Sequence, residues 1–254
     1  MIIIHEVLNM NELIWNGEMD YGWEDLSEYL KQTCDHFSST LIAVTAQSPN
    51  KETKELINDE CIERFSQIVL HLSTLIKDGV YYQAEDLENS TQNAKKLTAW
   101  ILLGSLTESI LQMFLSFYLD DYKKENWQLW MNFEVDKVKT PIIDCINTLE
   151  SSGTLEKDQS RSLKEAIKDS IKEHTKEHPV QKIMLEELIQ LFTYLKLMDD
   201  DDISYLKEIQ SNRNGIHSFQ RRTIGNWNDL QHCVRFFCFL MEWVLNRFPD
   251  IITE

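Results

Sequence analysis

Residues 97–119 read LTAWILLGSLTESILQMFLSFYL, the most apolar run in the chain. Whether it crosses a membrane or lies inside a protein core decides the fold. The run carries Glu108, Gln112 and several Ser, Thr and Gly residues. A bilayer-spanning helix rarely holds that many polar groups, because hydrocarbon offers them no partners. The segment therefore predicts a helix buried in protein, from Ala94 to about Tyr122. A carboxylate within it is costly unless paired. Three settings answer that cost for Glu108: an ion pair with an arginine from the C-terminal region, a subunit interface, or the exposed stripe of the helix.

The segments on either side have a helical period as well. Trp23–Val44 places Leu26, Tyr29, Leu30, Cys34 and Phe37 at intervals of three and four. Glu52–Lys77 does the same with Ile57, Cys61, Phe65, Ile68, Leu72 and Leu75, and Gly79 closes it. Residues 78–90 read as a loop, and the aromatic tract NWQLWMNFEV (126–135) as a short helix or a packed loop. Pro141 stands near the start of a helix that ends at Leu149, and SSGT (151–154) breaks the chain. Further helices follow over 155–177, over 180–197 and from Ile203. The run Asp199–Asp202 caps the last of these and charges its first turn. Asn228–Arg247 forms a final, heavily apolar helix. Only 7 Gly and 4 Pro occur, too few for a fold with many tight turns. The fold class is all-α, a multi-helix bundle of eight or nine helices. Residues 1–93 form a helical extension packed on a helical domain at 94–254, the two together making one globular unit if the packing is continuous.

With 43% hydrophobic and 26% charged residues in 254, the composition is that of a soluble globular protein. The five cysteines (Cys34, Cys61, Cys145, Cys233 and Cys238) are scattered without metal spacing, which suits free thiols in a reducing compartment. The opening MIIIHEVLNMNELIW lacks the basic n-region of a signal peptide, so the expected location is cytoplasmic. A net charge of −17 argues against nucleic acid binding over the whole surface. The charge is unevenly spread, however. Residues 203–247 hold six basic side chains against three acidic ones, and five of the seven arginines.

No phosphate-cradling GxxxxGK[ST] or GxGxxG is present, and no GxSxG nucleophile elbow. His174 and His178 stand four apart, yet without a nearby Cys and with Pro179 next, they read as a solvated helix end rather than a metal site. His71, between leucines, reads as a packed side chain. The acidic run at 199–202 lacks the Gly and the alternating donors of an EF-hand loop. The remaining constellation is SNRNGIHSFQRR (211–222). Arg213 offers a permanently charged planar fork that suits a phosphate. A histidine side chain ordinarily titrates near neutrality, which makes His217 a candidate to accept or give a proton. On a continuous helix the two would share a face. The intervening Asn-Gly is also a helix-stop signal, which would part them.

The string RNGIHSF, between an amphipathic helix and an apolar C-terminal one, resembles the signature of the HEPN superfamily (higher-eukaryote and prokaryote nucleotide-binding domains). The long helix with GSLTES (104–109) is similar to the core helix of bacterial relatives. In that family an Arg, a polar neighbour and a His mark all-α proteins. Many of these are metal-independent endoribonucleases of defence, stress or toxin–antitoxin systems, and others are non-catalytic binding modules. The resemblance assigns Arg213, Asn214 and His217 to catalysis, with a shorter Arg-to-His interval than is usual there. It implies RNA or phosphate binding by Arg221 and Arg222, and a supporting carboxylate in Glu108. It further implies no cofactor or metal, no membrane, and a homodimer whose partners include RNA, a nucleotide or an antitoxin.

Overall fold

The computed structural model describes residues 22–77, 79, 90–125, 135–174, 179–216 and 224–248. Ten α-helices and no strands occur among them: α1 (Trp23–Gln47), α2 (Lys51–Leu56), α3 (Asp59–Lys77), α4 (Ser90–Phe117), α5 (Leu119–Tyr122), α6 (Val135–Ser151), α7 (Lys157–His174), α8 (Leu185–Leu195), α9 (Asp200–Arg213) and α10 (Trp227–Leu245). The class is all-α, as the periodicity predicts. The helices fall into two compact units, one from residues 1–119 with 183–254 and one from residues 120–182. The N-terminal helices thus belong to the same unit as α4 and α10, and no unit boundary falls near residue 93.

The larger unit is built around α4. This helix packs against α2, α3, α8, α9 and α10, and it buries side chains around most of its circumference. Trp100, Leu103, Leu106, Ile110 and Leu111 are fully buried. Its polar residues are absorbed locally, as hydroxyls usually are inside helices. Thr107 Oγ1 donates to the Leu103 carbonyl, Ser109 Oγ to Ser105 and Ser116 Oγ to Gln112, each one turn back. By length and composition α4 could cross a membrane, but it is the core helix of this unit. Phe114 anchors its C-terminal end, with ring centroids 4.9 Å from Tyr118, 5.6 Å from Phe192 and 5.3 Å from Trp243.

Helices α1 and α3 pair along their length, and α1 also lies against α10. Phe37, Phe65 and Phe237 stack in sequence with centroids 5.5 and 6.4 Å apart. Trp23 meets Trp227 edge to face at 5.8 Å, and Gly79 leaves no room for a Cβ, which would lie 2.7 Å from the Trp23 ring. The predicted helix over 52–77 is in fact two. Asn50 Oδ1 caps α2 by accepting from Glu52 N–H at 2.9 Å, and Asn58 Oδ1 restarts the helix by accepting from Cys61 N–H at 2.9 Å. The buried face of α3 is Ile62, Phe65, Val69, Leu72 and Ile76, with Cys61, Ile68 and Leu75 on its margin. His71 is exposed, contrary to the packed role expected of it, because that face turns its position outward.

The smaller unit contains the hairpin of α6 and α7, joined through a short turn in which Gly153 adopts φ +72°, a left-handed conformation that only Gly takes without strain. Glu150 accepts from Ser160 Oγ and pairs with Lys164 at 3.2 Å, two interactions that hold its carboxyl below the usual range. Pro141 lies inside α6 rather than at its first turn.

Asp199 caps α9 by accepting from Asp202 N–H at 2.9 Å. Asp202 itself is buried. Burial, then the neighbouring Asp199 and Asp201 charges, push its carboxyl up to about 6, against an opposing pull from Arg247. Arg247 lies 3.9 Å over the Trp243 ring. A carboxyl whose pKa is raised on folding stabilises the fold below its unfolded value and loses that contribution as pH rises through about 6. Asp202→Asn should therefore raise the melting midpoint at pH 7.5, by about 1 kcal/mol of stability once solvent screening is allowed for. The gain should vanish below about pH 4. Thermal melts of both proteins across that pH range check it.

Candidate functional site

Arg213 is the last residue of α9, where a cation complements the negative end of the helix. The α-helix ends where the Asn-Gly pair begins, as that stop signal indicates. Asn214–Ile216 continue as a single 3-10 turn, entered with Asn214 in right-handed helical geometry. Gly215 keeps a negative φ, so it is not a left-handed helix cap. Its lack of a side chain serves close packing instead: a Cβ there would lie 3.1 Å from Ile224 Cγ1. His217, Arg221 and Arg222 lie outside the described residues, as does His178.

Three features fix the Arg213 side chain. Its stem lies across Gly104 of α4, where an added Cβ would meet Arg213 Cδ at 2.6 Å, Cβ at 2.8 Å and Cγ at 2.9 Å. Its Nη1 donates to Glu108 Oε2 at 2.7 Å. The same oxygen accepts from the Leu185 N–H at 2.8 Å, which fixes the carboxylate in turn. Leu185 opens α8, so Glu108 satisfies one of the unpaired donors of a helix N-terminus and lies at its positive end. One turn along α4, Gln112 Nε2 donates to the Ile183 carbonyl at 2.8 Å and ties down the same approach to α8. The ion pair is neither buried nor loose: 24% of the Arg213 side chain and 22% of Glu108 remain exposed. Of the three settings open to Glu108, the pairing with a C-terminal arginine is the one found.

Asn212 escaped the sequence reading, although it stands beside the signature. It is buried, donating from Nδ2 to the Glu208 carbonyl at 3.0 Å and accepting at Oδ1 from the Gly225 N–H at 2.6 Å. Residue 212 is thereby bonded to residue 225, which closes the base of the segment that carries Asn214, His217, Arg221 and Arg222. Gly225 is compressed between Asn212 and Trp100, with both within 3.2 Å of where a Cβ would be, so the clamp needs glycine there. Immediately after it, Asn226 and Asp229 form a reciprocal capping box at 3.0 and 2.8 Å that starts α10. The sequence reading began this helix at Asn228, one residue after its start at Trp227. Nothing in the sequence marked the Asn212–Gly225 bond, because it joins residues thirteen apart with no periodic relation between them.

The arrangement presents a charged planar donor at the C-terminal end of α9, held from below by Gly104 and from one side by Glu108. Chemically it can bind an oxyanion. A guanidinium has five N–H donors, and the pairing with Glu108 engages one nitrogen. Comparisons with protein-family models, with curated proteins and with solved structures gave no match. The site therefore rests on its own geometry.

The close contact at Gly104 yields a test. In an exposed helix Gly→Ala stabilises by about 1 kcal/mol. At residue 104 the sign should reverse, because the new methyl strikes the fixed part of the Arg213 stem. We expect Gly104→Ala to cost about 1–3 kcal/mol in denaturant unfolding. The double variant Gly104→Ala with Arg213→Ala should recover most of that loss.

Proposed function

We propose that the protein is a HEPN-like, metal-independent endoribonuclease acting in the cytoplasm as a homodimer, within a defence, stress or toxin–antitoxin system. The observation that carries this reading is the fixed Arg213 guanidinium, positioned over Gly104 and against Glu108 at the base of the segment that bears His217. A side chain locked before the ligand arrives loses little entropy on binding, which is what stabilisation of a developing charge requires.

In this mechanism His217 takes the proton of a ribose 2′-hydroxyl, and the freed oxygen attacks the adjacent phosphorus. Arg213 holds the resulting phosphorane charge through N–H donors that Glu108 leaves unused. The 5′-oxygen leaves with a proton returned by an imidazolium, and the products are a 2′,3′-cyclic phosphate and a 5′-hydroxyl end. Asn214 orients the pair, and Arg221 and Arg222 add positive potential along the strand. Glu108 is a positioning residue: it sets the guanidinium and does not touch the substrate.

A second reading has an observation of its own. Glu108 offsets the charge of Arg213, and the chain carries −17 overall, both of which suit a non-catalytic module that binds a nucleotide or a protein. The two readings separate in one experiment, in which purified protein is incubated with structured and unstructured RNA in EDTA. Wild type should cut and leave 2′,3′-cyclic phosphate ends. His217→Ala should lower the rate at least about 100-fold, and Arg213→Ala similarly. Intact RNA with wild type, or equal cutting by His217→Ala, would leave the binding module as the correct reading.

A further inference from the structure

Lys96 is the one buried lysine among the described residues, with 8% of its surface exposed. Lysine is rarely covered to this extent unless its charge is paired. Yet among the described residues no carboxylate or carbonyl accepts from its ammonium. The nitrogen itself is not sealed, so the four-carbon stem is held in protein while the charge reaches solvent. Stem packing alone would be served by Met or Leu. The ammonium adds a desolvation cost that nothing in the fold offsets.

Its place on α4 gives this charge a setting. Lys96, Trp100, Gly104 and Glu108 follow one another at intervals of four and make one ridge of the helix. Gly104 is the seat of the Arg213 stem, and Glu108 is the partner of its guanidinium. Trp100 meets Gly225, with ring atom Cζ2 3.1 Å from where a Cβ would lie. Leu97, next to Lys96, comes within 3.9 Å of the equivalent point on Gly215. Residues 215 and 225 bracket the segment that bears His217, so both its ends stand on the turn of α4 to which Lys96 belongs. The ridge also has more donors than acceptors. The Trp100 indole N–H, on the same edge of the ring as Cζ2, is buried and has no acceptor. Arg213 keeps N–H groups that Glu108 does not engage, and Lys96 adds three more. Glu108 is the only carboxylate of the four. Buried donors are ordinarily matched inside a fold, so a surplus along one ridge calls for an acceptor from outside it.

We propose that Lys96 is a strand-binding residue, whose ammonium takes a backbone phosphate at the opposite end of the ridge from the phosphate held by Arg213. The choice of a nucleic-acid strand as ligand rests on the reading of the Arg213 site given above. Lys96 stands eight residues from Gly104, about 12 Å along the helix axis. One phosphate group does not span that interval, whereas a strand carrying a phosphate at every nucleotide does. A lysine free on the surface gives up rotamer freedom when it binds, but the Lys96 stem has given it up on folding. In a chain of −17, a polyanion approaches only where cations are gathered. Lys96 extends the basic segment 203–247 onto a helix distant from it in sequence. Trp100 does not touch the strand in this conformation, because its N–H is sealed. Nor is Lys96 catalytic: it sets the path of the strand and leaves the reacting atoms to others.

The test measures binding apart from cleavage. A fluorescein-labelled 2′-O-methyl RNA lacks the attacking hydroxyl, and its anisotropy is followed as the full chain is added at roughly 50–300 mM NaCl. Lys96→Met keeps the stem and removes the charge, so it should melt no lower than wild type. It should weaken binding about 5–10-fold at the lowest salt and reduce the slope of log affinity against log salt by about 0.7, the share of one phosphate contact. Lys96→Gln is a second neutral variant and should behave alike. If wild type binds and both variants match it in affinity and slope, the proposal is overturned, while cutting of ordinary RNA in EDTA still decides the ribonuclease reading. Binding that depends on Lys96 with ordinary RNA left intact upholds the proposal and removes that reading. A wild type without affinity for the strand overturns the proposal. So does displacement of the strand by an oligo-glutamate peptide of equal charge, which would assign the ridge to an acidic protein.

Discussion

A carboxylate in the middle of an apolar helix has to be paired, and much of the larger unit is organised by how Glu108 meets that requirement. Its Oε2 takes one hydrogen bond from Arg213 at the end of α9 and one from the Leu185 N–H at the start of α8. Three helices that are distant in sequence are thereby registered at one atom. With about a quarter of each side chain exposed, the ion pair adds little net stability, since solvent screens it and side-chain entropy opposes it. What it contributes is position. Shifting α4 along its axis by one residue would turn Glu108 away from both partners and move Gly104 from beneath the Arg213 stem.

The same constraint explains two glycines that local propensity disfavours. Gly104 lies in mid-helix, where Ala would be preferred by about 1 kcal/mol, and Gly225 lies against Trp100 and Asn212. Each admits a neighbour too close for a Cβ. Together they bring α9 and the start of α10 tightly onto α4, with the Asn212–Gly225 hydrogen bond closing the segment between them. The candidate site is therefore a consequence of how these helices are packed on α4.

Sequence reading went furthest where period and capping agreed. The start of α1 at Trp23, the capping role of Asp199, the all-α class and the buried character of 97–119 were all legible, because helical spacing and chain chemistry are local. It failed where two local signals competed. Ile57 fitted the periodic face of a long helix, but Asn58 was the better cap, and the helix broke there. On α3 Phe65 and Leu72 were placed on the buried face correctly, but Cys61, Ile68 and Leu75 were taken where Ile62, Val69 and Ile76 are buried, since both sets repeat equally regularly. Period alone does not choose between adjacent apolar stripes. His71 followed that error.

By itself the sequence determined that this chain is helical, that Arg213 lies in a locally basic segment beside a helix-stop signal, and that Glu108 is costly unless paired or turned to solvent. These follow from spacing, charge and the cost of burying a carboxylate, which depend only on neighbours in the chain. Tertiary structure alone decided that Glu108 and Arg213 are each other's partners across 105 residues, that Gly104 is the seat of the Arg213 stem, and that Asn212 holds the base of the signature segment. Such pairings depend on which helix faces are apposed and at what register, and that is set by packing of the whole core rather than by any one stretch of it.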